Sequence, residues 1–344
     1  SYVCDVCTTC EGLNPVKYTR EGDYIYFGYW PQTLERDETV IAKLNEVAGT
    51  PPLPRDKENP YNWESHEGTT YMWQKIVIYN GTKYLGVQMN DYRASGVYSL
   101  RSYIMENGYF TGEVYWFKYE PIKWRILTTS GNSAFIMSDI ALDSFSIQPD
   151  RKSENRDGLF AEYNNSTGVP DGTYANNWEY CFLRQWLNET FYNEVFNNLQ
   201  KEIIKTVKLD NTARSSNPND YPKYYGYAEN AGKNKFADQC KDTDDKIFLL
   251  SLRDVTTTAY GFNKDVKAED PARNLQATDF AKLHGAPMNT NDKKYVTWYT
   301  RSPAPANGNQ GYATFVLDRH AKGAMGSIDL VPDGGVVPAL WIKL

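Results

Sequence analysis

Seven consecutive residues near the C-terminus, Val336-Val337-Pro338-Ala339-Leu340-Trp341-Ile342, constrain the fold most tightly. A run that apolar is stable when buried on both faces, which predicts an inner strand of a sheet. The same part of the chain offers it neighbours. Tyr295 to Thr300, Thr314 to Leu317 and Ser327 to Val331 all read as strands separated by polar loops.

Two hairpins are legible upstream. Met72 to Tyr79 and Lys83 to Met89 flank Asn80-Gly81, and Asn-Gly between strand-like runs predicts a type I′ turn because both residues tolerate positive φ. Trp124 to Thr128 and Ala134 to Met137 flank Ser130-Gly131-Asn132. Tyr24-Ile25-Tyr26-Phe27-Gly28 reads as a first strand closed by Gly28 and Pro31, and Asp245 to Leu250 as a short buried one. Helical periodicity is confined to the middle. Leu183, Trp186, Leu187 and Phe191 share one helical face, and Tyr192, Val195 and Phe196 extend it, with a break at Asn188 left open. Shorter helices are expected at Val40 to Val47, after the capping-box pattern Ser251-Leu252-Arg253-Asp254, and from the cap Thr278 through His284 to a stop at Gly285. Residues 146–177 and 210–245 read as polar surface loops. The sum is an α+β fold: a tail over 1–20, then a single domain over 21–344 with insertions near 35–70 and 210–240.

Composition narrows the function classes. Aromatics make up 15% of the chain, and the 27 tyrosines among them suit strands and recognition surfaces. The formal net charge is -6, from 37 basic and 43 acidic residues with the signs interspersed. No polybasic run marks a nucleic-acid footprint or a cationic membrane patch. No apolar run approaches the roughly 20 residues of a transmembrane helix. Ser1 rather than Met stands first, which leaves open whether a leader or anchor once preceded it. Cys4, Cys7 and Cys10 form a C-x-x-C-x-x-C run, while Cys181 and Cys240 stand apart. The run is either part of a zinc site lacking a nearby fourth ligand or a tail with one local disulfide, the reading preferred here.

The order of several segments is more informative than any one of them. Tyr26-Phe27-Gly28-Tyr29-Trp30-Pro31-Gln32, Trp124-Arg125-Ile126-Leu127 and Trp178-Glu179 come first. Leu183-Arg184-Gln185-Trp186-Leu187-Asn188, Phe191-Tyr192 and Asp245-Lys246-Ile247-Phe248-Leu249-Leu250-Ser251 follow. Thr300-Arg301-Ser302-Pro303 and Gly335-Val336-Val337-Pro338-Ala339-Leu340-Trp341-Ile342 close the series. Across residues 24–344 this series resembles a bacterial domain family of unknown function, common in surface and secreted proteins of gut Firmicutes. That family is similar in turn to the C-type-lectin-like fold, shared with formylglycine-generating enzymes and with the variable proteins of diversity-generating retroelements. Arg301-Ser302 and Gly335-Val336-Val337 hold places similar to an Arg-Gly-Gly-Ser-like segment and a closing Gly-Phe-Arg-like strand in those relatives. The resemblance implies a small twisted, mostly antiparallel sheet, two main helices, many irregular loops, and an extracellular or cell-surface setting.

Chemistry is harder to find. The formylglycine-generating type uses a pair of cysteines near the domain end, and no cysteine follows Cys240 here. An iron-dependent oxidoreductase of the same superfamily requires a histidine cluster, and only His66, His284 and His320 are available. His284 reads better as a residue at a helix C-terminus, where positive charge is favoured, and His320 as a loop residue. Gln148-Pro149-Asp150 resembles the calcium and galactose tripeptide of true C-type lectins but precedes the helical region and lacks its Trp-Asn-Asp-like partner. Asp242-Thr243-Asp244-Asp245 offers hard oxygen ligands to calcium without the full loop spacing. Asn164, Asn165 and Asn188 head glycosylation sequons.

The expectation is therefore a non-catalytic binding module, neither nucleic-acid-binding nor membrane-inserted, needing no cofactor beyond a weak case for calcium. It would recognise a glycan or protein ligand through C-terminal loops. The residues proposed to carry recognition are Trp298, Tyr299, Arg301, Asn309, Tyr312 and Arg319, because rigid aromatics, arginine and asparagine are enriched in contact surfaces. Trp298 and Arg301 read equally well as core and loop-clamping residues. A structural spacer within a larger surface protein is a further alternative.

Overall fold

The computed structural model describes residues 17–49, 72–89, 101–147, 159, 167–212, 239–265, 268–289, 293–303, 314–317, 325–327 and 334–344. The strands in chain order are β1 (Thr19–Glu21), β2 (Tyr24–Leu34), β3 (Met72–Tyr79), β4 (Thr82–Met89), β5 (Val114–Thr129), β6 (Ser133–Ser138), β7 (Asp143–Phe145), β8 (Val207–Leu209), β9 (Thr243–Asp245), β10 (Phe248–Leu249), β11 (Tyr299–Pro303), β12 (Thr314–Leu317), β13 (Met325–Ser327), β14 (Gly334–Val336) and β15 (Pro338–Lys343). The helices are α1 (Glu38–Ala48), α2 (Arg101–Glu106), α3 (Phe182–Trp186), α4 (Tyr192–Val195), α5 (Asn198–Ile203) and α6 (Asp279–Leu283).

One antiparallel sheet of eight strands organises the molecule, in the order β1-β2-β5-β6-β15-β10. The β3–β4 hairpin joins it through β4, which pairs with Val114 to Lys118 of β5, while β6 pairs further along the same strand. The 16-residue β5 is thus shared by β2 on one edge and by β4 and β6 in succession on the other. Smaller pairings, β11-β12-β13, β14-β7 and β8-β9, surround this sheet. The architecture is mixed α and β, mostly antiparallel, with short helices.

The C-terminal run behaves as its composition demands. Ala339 to Lys343 pair with Met137 to Ser133 of β6, and Pro338 and Ala339 with Leu249 and Phe248 of β10. Val336, Val337, Ala339, Leu340 and Ile342 are all fully buried. Pro338 opens its strand, where its missing N–H costs the ladder least. The Asn80-Gly81 turn also forms as read, with φ of 49° and 77°, the positive pair of a type I′ turn. Thr278 caps α6 by accepting from the Ala281 N–H, and Gly285 adopts φ 84° after it. Ser251 and Asp254 exchange side-chain-to-backbone bonds in both directions, completing the box.

Several elements differ from the sequence reading. The first strand does not stop at Gly28 but runs on to Leu34. Its register with β5 slips between Tyr26 and Tyr29 and again between Pro31 and Thr33. Gly28, at φ 68°, absorbs the first slip, and a Cβ there would stand 2.6 Å from Val195 Cγ1. Two irregularities therefore accommodate the residues that read as breakers. Thr19 and Arg20, read as the end of the tail, pair as part of β1 with Tyr26 and Ile25, while residues 1–16 lie outside the described residues. The C-terminal strands shift: Tyr299–Pro303 replaces Tyr295 to Thr300, and the segment read from Ser327 begins earlier, at Met325, with 328–333 outside the described residues. The end of the 146–177 loop is core rather than surface, with Ala175, Asn176 and Asn177 buried. No break occurs at Asn188: α3 passes through one π-helical turn, Leu187–Phe191, directly into α4.

Tryptophan indoles tie the layers together. Trp30 packs 5.2 Å from Phe191, 5.9 Å from Phe280 and 6.0 Å from Trp186 between ring centroids, and donates to the Leu142 carbonyl. Trp124 donates to the Phe27 carbonyl. A second cluster, under α1, joins Leu44, Val77, Tyr84 and Trp116. Among the described residues no helix is long and apolar enough to cross a membrane. Removing buried methyl groups from β15 tests the dependence on this strand. Leu340→Ala is expected to cost about 2–5 kcal/mol, whereas Lys343→Ala, on the exposed end of the same strand, stays within about 0.5 kcal/mol, both measured as denaturation midpoints.

Candidate functional site

Two segments distant in sequence, Trp178 to Arg184 and Thr243 to Asp245, converge on one carboxylate. Asp245, fully buried at the end of β9, accepts at Oδ1 from Arg184 Nε at 2.7 Å, with Nη2 of the same guanidinium 2.6 Å away in an ion pair. Its Oδ2 accepts from the Trp178 indole at 2.9 Å and the Thr243 hydroxyl at 2.8 Å. Three hydrogen bonds and the ion pair hold the group, which is how a charge is tolerated out of water. Arg184 also donates to the Glu179 carbonyl. Asn188, in the π-helical turn, locks the next step. Its amide donates to the Arg184 and Ile247 carbonyls, and its oxygen accepts from the Lys246 and Ile247 N–H groups. The widened turn, a feature that often accompanies functional sites, carries Asn188 within reach of the β9–β10 connection.

This assembly floors an open polar cleft of about 480 Å³. Glu179, Tyr180, Gln185, Glu189, Asp244 and Lys246 line it around the Arg184–Asp245 pair. Gln185 donates to Glu189 across one helical turn. Lys246 holds its ammonium 4.3 Å above the Tyr192 ring. Burial, reinforced by the neighbouring Glu179 carboxylate, raises the Tyr180 phenol above its usual range. Burial also pushes the Cys181 thiol up to about 12, against the opposing hydrogen bond and charge of Arg184. The cleft can therefore offer fixed donors and acceptors with one aromatic hydroxyl. The Asp242 to Asp245 segment does not present Asp245 to a cation, since its lone pairs are committed inward.

A second polar pair lies deeper. His284, the C-cap of α6, places Nδ1 2.6 Å from Asp143 Oδ1 on β7, and its ring packs 4.4 Å from Phe280 and 6.1 Å from Phe145. Asp143 Oδ1 also takes the Ser144 N–H. His284 thus caps its helix as expected and ties α6 to β7. His66 and His320 lie outside the described residues, as do Gln148-Pro149-Asp150, Asn164, Asn165 and the run Cys4, Cys7 and Cys10.

Of the residues read from sequence as a contact surface, Trp298, Tyr299 and Arg301 are described and all three are buried, in keeping with the core and loop-clamping reading of Trp298 and Arg301. Trp298 is fully buried and donates to the Arg273 carbonyl. Tyr299 is 1% exposed, its ring against Gly334. Arg301, 6% exposed, donates to the Leu249 carbonyl at 2.7 Å, to Asp254 at 3.0 Å and to Asn211 at 3.1 Å. All three face inward and fasten β11 to the layers behind it. Asn309, Tyr312 and Arg319 lie outside the described residues. The cleft residues were missed as a site. The available signal was a charged residue inside each of two apolar motifs, Arg184 and Asp245, with opposite signs.

Removing the cation should expose the cost of Asp245's burial. Arg184→Ala is expected to destabilise the fold by about 3–5 kcal/mol. In a double-mutant cycle with Asp245→Asn the combined loss should fall well short of the sum, and additive losses would deny the coupling.

Comparison with known proteins adds one result. The model of DUF6273, a domain of unknown function, matches residues 131–344. No curated protein and no solved structure matches the chain. The match takes in every residue lining the cleft, the Asp143–His284 pair and the inner strand β15, and the chain belongs to the DUF6273 family.

Proposed function

We propose that this domain is a non-catalytic binding module of C-type-lectin-like build, acting outside the cell or at its surface, and that its cleft takes a glycan. The observation that carries the reading is the cleft itself: an open, polar concavity whose floor is rigidly fastened and whose rim is dense in planar hydrogen-bonding groups. A ligand pocket with apolar walls suits an apolar guest. Walls built from Gln185, Glu179, Glu189, Lys246 and the Tyr180 phenol suit a guest carrying many hydroxyls, each able to donate and accept. The groups that would otherwise be reactive are spent on the fold. Asp245 and Arg184 neutralise one another, and Asn188 uses both amide hydrogens on backbone carbonyls. What supports the lectin-like comparison is the mostly antiparallel sheet, the short helices and the inner C-terminal strand. Asn309, Tyr312 and Arg319, outside the described residues, stay part of the proposed contact set.

A glycan array probed with the full chain tests this reading. Binding to a defined set of sugars is expected, weakened about tenfold or more by Gln185→Ala or Glu189→Ala, both exposed on the rim, with unchanged thermal midpoints. Binding unaffected by both substitutions moves the site away from the cleft. Binding abolished by a chelator assigns recognition to a calcium site elsewhere. Turnover of a substrate without stable binding replaces the module with an enzyme.

A further inference from the structure

Cys181 and Cys240 are both buried and both stand as thiols. They sit on two stretches of chain, 174–184 and 239–245, joined by several hydrogen bonds. The Gln239 carbonyl accepts from Asn177 Nδ2 at 3.4 Å, and Gln239 Oε1 accepts from the Tyr174 N–H at 3.1 Å. Asp245 binds Trp178, next to Asn177, and Arg184, three residues beyond Cys181. Cys181 falls between Asn177 and Arg184, and Cys240 between Gln239 and Asp245. Cys240 is among the groups that help hold the Cys181 thiol up, and Cys181 Sγ accepts from the Arg184 N–H at 3.4 Å.

We propose that Cys181 and Cys240 are a disulfide-forming pair that locks the 239–245 limb onto the N-terminus of α3, beneath the cleft. The inference stands apart from the identity of any ligand. The chemistry balances with a disulfide oxidant such as glutathione disulfide. One cysteine, as thiolate, attacks the oxidant and releases one glutathione. The second, losing its own proton, displaces the other glutathione from the mixed disulfide. Two thiols are oxidised by two electrons and one oxidant disulfide is reduced to two thiols. The thiolate is the attacking form, and burial suppresses it at Cys181. The bond therefore closes as the chain folds in an oxidising compartment, and slowly in the finished protein.

The full chain, refolded in a glutathione redox buffer, alkylated and digested without reductant, decides the matter. The expected product is one cross-linked peptide pair containing Cys181 and Cys240, about 2 Da lighter than the two thiol peptides and separated by reductant. The oxidised chain should melt about 5 °C above the reduced one, a gain that Cys181→Ser and Cys240→Ser each remove. Should either serine variant fail to fold, peptide mapping of the unsubstituted chain is sufficient. Alkylation of both residues after oxidative refolding overturns the proposal. So does pairing of either with Cys4, Cys7 or Cys10, which a Cys4→Ser, Cys7→Ser, Cys10→Ser chain would confirm by leaving Cys181 and Cys240 reduced.

Discussion

The fold depends on burying β15 between β6 and β10. That strand has no polar face to turn to water, so its neighbours must cover both its edges and both its sides. β6 supplies five paired residues and is itself buried along its whole length. β6 in turn leans on β5, and the length of β5 recruits both β2 and the β3–β4 hairpin. The short helices then close the faces, and aromatic rings fill the seams between layers. Hydrogen-bonding tips on Trp30, Trp124, Trp178 and Trp298 all reach a partner, so large rings are buried without stranding a donor.

The polar features form a second tier built on the first. Asp245, Arg301, Arg273 and the Asp143–His284 pair are each buried and each bonded to more than one segment. Such groups add little net stability, since desolvation offsets most of their attraction. Their effect is to fix where loops lie. Arg301 reaches Leu249, Asp254 and Asn211, and Arg273 reaches Asp270 at 3.2 Å and the Asp265 carbonyl at 2.8 Å. The described loops around Asn211, Asp254 and Asp265 are irregular in shape and still held by these bonds.

How much of this was legible in the sequence follows from the range of each cause. The Asn80-Gly81 turn, the Thr278 cap and the Ser251–Asp254 box are set by residues within four positions of one another, and each formed as read. The inner strand β15 was legible because its composition permits one environment only. Failures came where a distant contact decides. Gly28 and Pro31 are local breakers, yet pairing with β5 carries the strand through them by way of two bulges. Asn188 disfavours a helix interior by propensity, but its bonds to the 246–247 backbone hold it inside one. The site was the hardest case. Arg184 and Asp245 are 61 residues apart, and nothing in either segment names the other. Trp298, Tyr299 and Arg301 carry recognition chemistry in their side chains, and only their burial shows that the fold consumes it.

The family match opens at residue 131, inside the turn between β5 and β6. The sheet does not respect that boundary. A polypeptide trimmed there would lose the five ladder pairs between β5 and β6 and bare one flank of β6. That strand is buried along its whole length in the intact sheet, and such a flank is a template for self-association. The cooperative unit reaches back at least through β5, and fragments drawn to the limits of the match should clump where the longer chain stays dispersed.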